Sequence, residues 1–282
     1  MAAFNATADV ATVSSINASS LGLTAFNLSA LPALASFDIS NNPIVTLNVS
    51  NHVLTTLNVT GCTAMTTLTC SNNIFLGDIL GLATCTALQH LDCSGNPNFG
   101  TTTTPQYTFD VSTLTQLLDL NFEINAIAYL VGVQNCTLLT YLTCGFGFVG
   151  GDTPLDVHGL TNLVHLECEQ NVVGFELAGV NLTGCTALQN LNVATNALTT
   201  VDISNKPAFG TAGTDFDIEL QNNKLTVAAV DAALLSLSLL GPVGYPRHAS
   251  LQGQTPPAPP SNPAGLAYLA TCTANGWVIM TD

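Results

Sequence analysis

Histidine and carboxylate side chains recur two residues apart in short segments of this 282-residue chain: His90 with Asp92, Asp119 with Asn121 and Glu123, His165 with Glu167 and Glu169, and Asp217 with Glu219. Tyr141 and Thr143 share the same spacing. In an extended strand, residues i and i+2 project from one face, so each segment could present its polar groups together. A histidine beside a carboxylate is the raw material of an acid/base pair, and neighbouring carboxylates are the raw material of a weak calcium site. Catalysis finds little else to work with. His90 and His165 fall three repeats apart, on the order of 14 Å at strand spacing, which is too far to share one metal or one proton. There is neither a GxSxG elbow nor a glycine-rich phosphate loop, and an open strip of side chains excludes no water. The expectation is therefore a non-enzymatic binding face made of His90, Asp92, Asp119, Glu123, Tyr141, His165, Glu167, Glu169, Asp217 and Glu219. No cofactor is expected beyond calcium as a weak alternative.

What must position these residues is a repeat. The segments MTTLTCSNN (65–73), LQHLDCSGN (88–96), LLDLNFEIN (117–125), LVHLECEQN (163–171) and LQNLNVATN (188–196) share the pattern L-x-x-L-x-(C/V/F)-x-x-N. The second leucine slot is filled by Phe26, Leu47, Leu68, Leu91, Leu120, Leu142, Leu166, Leu191 and Ile218, at intervals of 21 to 29 residues, which predicts nine coils. Alternation sends that residue and the one two places later inward. A second strand-like unit is expected about ten residues later, around Phe37, Leu57 and Val201. The asparagines that close the units (Asn73, Asn96, Asn125, Asn171, Asn196 and Asn223) stand where the chain must turn, and a buried amide there can satisfy the turn's backbone groups from coil to coil.

Eight of the nine cysteines follow the same register. Cys70, Cys93, Cys144 and Cys168 share the inward slot that Val49, Phe122 and Val193 fill elsewhere, and Cys62, Cys85, Cys136 and Cys185 share a slot with Leu114 and Leu160. They read as small hydrophobes, with no CxxC and no zinc spacing. Seven N-x-S/T sequons occur (Asn5, Asn17, Asn27, Asn48, Asn58, Asn135 and Asn181); several occupy the repeat's own N-V-S/T position, and with no signal peptide legible none is expected to be a glycan acceptor.

These units resemble the leucine-rich-repeat family, specifically the short-coil bacterial and bacteriophage type with CTALxxLxCSxN units, over roughly residues 21 to 225. The resemblance implies a right-handed β-solenoid with a parallel sheet on its concave face, extended segments on its convex face, a surface for protein or glycan contact and no family-wide catalytic residues. The final NGWVIMTD resembles the capping tail of that repeat type. Segment boundaries follow: an N-terminal arm or partial cap (1–20), the repeat solenoid (21–225) and an α/β C-terminal cap (226–282). Within the cap, a helix over 226–239 with Thr226 as N-cap, a short strand in HASLQGQ, a second helix over 263–276 ended by Gly276 and a last strand at WVIM (277–280) are expected.

Composition bounds the partners. Only Lys206, Lys224 and Arg247 oppose 18 carboxylates, for a net charge of −15, which repels nucleic acid and anionic membranes. No signal peptide and no membrane-spanning apolar run is legible. A neutral surface poor in lysine and arginine suits a protein displayed outside a particle. The leading expectation is a bacteriophage virion component, a capsid decoration or tail-associated adhesin, and the alternative is a bacterial cell-surface or secreted interaction protein. Expected partners are other virion or surface proteins, a host receptor or glycan, and a second copy met through residues 1–20. The excursions at 95–109, 145–154 and 206–215 are candidate contact loops.

Overall fold

In a computed structural model, residues 12–26, 28, 31–102, 108–147, 154–169, 176–209, 218–242 and 246–282 are described. The chain forms two compact units, Met1–Leu139 and Thr140–Asp282.

The first unit is a parallel β-solenoid. Its longer face carries the strands Thr46–Asn48, Thr67–Thr69, His90–Asp92 and Asp119–Asn121, paired in register so that Leu47, Leu68, Leu91 and Leu120 stand in one column. All four are buried. The opposite face carries Ser15–Asn17, Ser36–Asp38, Thr56–Asn58 and Ile79–Leu80 in a second parallel sheet, and the pair Thr108–Asp110 and Tyr129–Val131. Among the described residues, strand pairing begins at Ser15.

The second unit repeats the plan. Tyr141–Thr143, His165–Glu167, Asn190–Asn192, Ile218–Glu219, Arg247–Ser250 and Trp277–Met280 pair in parallel on the longer face, and Leu155–Asp156 pairs with Val180–Asn181 opposite. Two helices accompany the last strands. Helix α1 (Val227–Ser238) is N-capped by the Thr226 side chain, which accepts from the Ala229 N–H, and buries Val230, Ala233, Leu234 and Leu237. Helix α2 (Ala264–Ala274) packs beside it and ends ahead of Gly276, whose φ of 88° is left-handed. Arg247, 2% exposed, lies 4.8 Å above the Trp277 ring centroid, a cation–π contact in a desolvated place.

Two repeat assignments need correction. Phe26 lies outside any strand and packs its ring on Phe37, centroids 5.1 Å apart. Eight leucine-column strands, Leu47 through Ile218, therefore precede the cap strands, not nine. The segment around Val201 is irregular, although Val201 and Ile203 are buried. Conversely, opposite-face strands at Phe109, Leu130, Leu155 and Val180 had no leucine motif to announce them.

The turns show why asparagine recurs. Asn73 Nδ2 donates to the carbonyls of Val49 and Cys70, and its Oδ1 accepts from the Leu54 N–H. Asn96, Asn196 and Asn223 repeat that pattern one coil on each time, and Asn42 does so on the opposite face. Asn171 lies outside the described residues. Two substitutes complete the set: the His52 ring meets the carbonyls of Ser50 and Leu28, and Gln254 Nε2 donates to those of Leu220 and Leu251. Each amide satisfies backbone groups that would otherwise be buried without partners. The residue before it sits in the left-handed region at Asn41, Asn51, Asn72, Gly95, Ile124, Thr195, Asn222 and Gly253.

All nine cysteines are buried free thiols; eight stand in the slots that leucine, valine and phenylalanine fill elsewhere, and Cys272 lies in α2.

Candidate functional site

A residue type that returns in every coil serves the coil, so the first question for each predicted site residue is whether its position repeats. Asp92 does. Its Oδ1 accepts from the N–H of Ser94 at 3.1 Å and from the Ser94 hydroxyl at 2.6 Å. Asp38, Asn48, Asn58, Asp110, Asn121, Asp156, Asn181, Asn192 and Asp202 each accept the N–H two residues on in the same way. This Asx turn ends the strand by giving its last backbone donor a side-chain partner. It also explains four of the sequons: at Asn17, Asn48, Asn58 and Asn181 the asparagine turns the chain, and the following Ser or Thr supplies the N–H, whereas Asn135 Nδ2 donates to the Ser112 carbonyl. Asn5 and Asn27 lie outside the described residues.

In the first unit, His90 and Asp119 are register partners on adjacent strands, with His90 Nδ1 2.5 Å from Asp119 Oδ2 and both side chains a little under half exposed. Glu123 lies at the turn beyond the Asp119–Asn121 strand, where its N–H donates to Asn121 and its carbonyl accepts from Gly95.

In the second unit the outward positions depart from the repeat. Tyr141, half exposed, pairs in register with His165, and their rings are 5.7 Å apart. His165 Nε2 is 3.1 Å from Glu167 Oε1. Glu167 and Glu219 occupy the place where Asn48, Asp92, Asn121 and Asn192 form the Asx turn, and glutamate is one methylene too long for that turn. The hydrogen bond from His165, reinforced by its charge, holds the Glu167 carboxyl below the usual range. Burial pushes Glu169 upward, and the charges of Glu167 and Glu219 add to it. One Glu169 oxygen, Oε2, is buried with no hydrogen-bond partner among the described residues. Gln221 donates from Nε2 to Glu219 Oε2 at 3.0 Å. Asp217 lies outside the described residues, as do parts of all three candidate contact loops. Among the described residues no group of three or more His, Cys, Asp or Glu is arranged to hold a metal ion, and no helix is long and apolar enough to cross a membrane.

The arrangement offers a polar, partly acidic strand face with aromatic points. No family model and no curated protein sequence matches the chain. Among solved structures, the functional domain of InlJ from Listeria monocytogenes, described as including a cysteine ladder, superposes with a TM-score of 0.56 at 24% identity, covering 86% of this chain and 49% of that one. The chain has the leucine-rich-repeat fold. It spans about half the length of that solved InlJ chain. The internalin InlF from Listeria monocytogenes (16% identity, 96% and 87% covered, TM-score 0.44) and a leucine-rich-repeat protein from Leptospira interrogans (16%, 93% and 70%, 0.46) are more distant matches. In this leucine-rich-repeat chain the thiols interrupt the leucine columns in pairs of successive coils, Cys62 with Cys85 and Cys70 with Cys93, a use that needs only a small apolar group.

Proposed function

We propose that the chain is a non-enzymatic binding module that docks a protein partner on the outward strand face of its second unit, centred on Tyr141, His165 and Glu167. The observation that carries this reading is the half-exposed Tyr141 ring set against His165 at an outward position, where core packing demands nothing. Tyrosine on a rigid strand supplies amphipathic contact area at little entropic cost, and such residues dominate interface energetics. The carboxylates beside it select a basic or polar partner and steer its approach.

Display at a bacterial surface, or secretion, is the setting we favour, because the InlJ functional domain shares the fold at the better superposition. The alternative, a bacteriophage virion component, rests on the short-coil repeat units and the scarcity of exposed cations. Immunogold labelling of producing cells and of purified particles separates the two.

The docking reading is tested by immobilising the chain and identifying bound proteins by mass spectrometry. A true partner is retained by a control variant on the opposite strand face, Asn181→Ser, and lost by Tyr141→Ser with His165→Ala. A partner lost with the control and kept by the double variant would overturn the assignment of the face.

A further inference from the structure

Two of the chain's three cationic side chains are buried. Arg247 is accounted for by its seat on Trp277. Lys206 is different: only 5% exposed, it lines an open groove of about 460 Å³ in the second unit, between the Ser204–Pro207 turn and the C-terminal end of α1. Its Nζ donates to the Ser204 carbonyl at 3.0 Å. Among the described residues no carboxylate lies within ion-pair distance of it; the nearby Asp202, whose Oδ1 accepts the Ser204 N–H, feels its charge without contacting it. The α1 end does not supply the missing acceptors either. The carbonyls of Ser238 and Leu240 accept from Asn275 Nδ2, and that of Leu237 accepts from the Leu240 N–H. An ammonium has three donors, and burying it with one of them used is costly unless an anion completes the set.

Most of the rest of the groove surface is apolar, with Thr186, Asn205 and Ser236 adding polar edges. Ile203 and Pro207 form one wall, Leu240 the other, and Leu239, at 77% the most exposed large hydrophobic residue described, stands at the rim. An exposed leucine alone means little. An exposed leucine over an apolar groove that holds a buried cation, in a chain of net charge −15, is the layout of a small-molecule site: apolar walls with one polar group to fix orientation.

We propose that this groove binds a small carboxylate carrying an apolar body, with Lys206 holding the carboxylate and Ile203, Pro207, Leu239 and Leu240 holding the body. It is separate from the strand face proposed above and stands or falls independently of it.

The test uses the full chain and two probes with one body, 1-naphthylacetate and its neutral amide, titrated at pH 7 by calorimetry and by ligand-observed NMR. The expected result is that the acetate binds at least about tenfold more tightly than the amide, since a charge-assisted contact to Lys206 exists only for the acid. Lys206→Met removes that preference, and Lys206→Arg retains it. Because Lys206 is buried, Leu239→Asp provides an arm that leaves the core untouched: a carboxylate at the rim weakens the acetate more than the amide. Equal binding of acid and amide to the unaltered chain, or no binding of either, overturns the proposal whatever the variants do. An unchanged acid preference in Leu239→Asp places the site elsewhere and overturns it equally.

Discussion

The backbone N–H of Asn73 donates to the side-chain oxygen of Asn96 in the next coil, 2.6 Å away, and the N–H of Asn96 donates in turn to Asn125 at 3.1 Å. These amides couple successive turns of the solenoid through buried hydrogen bonds that have no solvent alternative. Asn96 also donates to the carbonyls of Cys70 and Cys93. Replacing Asn96 by leucine therefore orphans one N–H and weakens the satisfaction of two carbonyls at a fully buried place. We expect a loss of roughly 2–4 kcal/mol, read as a drop in the urea midpoint at unchanged slope. A loss below about 0.5 kcal/mol, the scale of an ordinary surface substitution, would show that the ladder is decorative.

Ile124 occupies the left-handed turn position at φ 54°, where most of the other described coils place asparagine or glycine. A β-branched side chain pays a steric cost there, and Ile124 is 53% exposed, so little burial offsets it. Ile124→Asn is expected to raise stability by about 1 kcal/mol in equilibrium denaturation. A decrease would mean that Ile124 makes an apolar contact worth more than the strain. Gly95 shows the opposite constraint, since a Cβ there would come within 2.3 Å of Asn72 Oδ1.

What the sequence made legible was whatever obeys a period. The inward leucines, the cysteine slots, the turn asparagines and both cap helices could be read because alternation and coil length leave one arrangement for them. The opposite-face strands at Phe109 and Leu155 were hidden because the insertions before them vary the coil length and no leucine pair flags the register. Polarity alone does not separate a turn from a contact: Asp92 is outward and acidic, and its Oδ1 serves a turn. Glu167 and Glu219 show the signal that separates the two cases, a residue that breaks the repeat at a position the repeat would have filled. Lys206 gave no pattern at all, since its surroundings come from a turn and a helix distant in sequence.

Glu167 and Glu169 shift in opposite directions, and their effects on stability should oppose each other with pH. For Glu167 the folded value lies below the unfolded one, so its contribution is present above the unfolded pKa and fades as pH falls through the acid range. For Glu169 the folded value lies above the unfolded one, so its contribution is full in acid and is lost as pH rises through the folded value. At pH 7, Glu169→Gln is expected to stabilise the chain slightly and Glu167→Gln to destabilise it, each by at most about 1 kcal/mol because both groups are partly solvated. Both differences should shrink toward pH 3 in thermal unfolding followed across the range. Effects of the same sign at pH 7 would contradict the arrangement.

The thiols supply the most direct check on the solenoid itself. Burial pushes the Cys85 thiol up to about 12 and those of Cys136 and Cys272 to about 11, and raises Cys70 and Cys93 further. Thiolate is the reactive form, and these groups are both protonated and enclosed. In the folded chain at pH 8, a thiol reagent should therefore modify none of the nine at a rate near that of a free cysteine, whereas in denaturant all nine should react. Intermediate denaturant discriminates further. Because the columns are shared by successive coils, opening one coil exposes its neighbour's cysteines, and mass spectra should show clusters of labels from coils of one unit before uniform labelling. Rapid labelling of Cys70 or Cys93 in native buffer is the result that cannot be reconciled with the leucine column, since both sulfurs stand inside it.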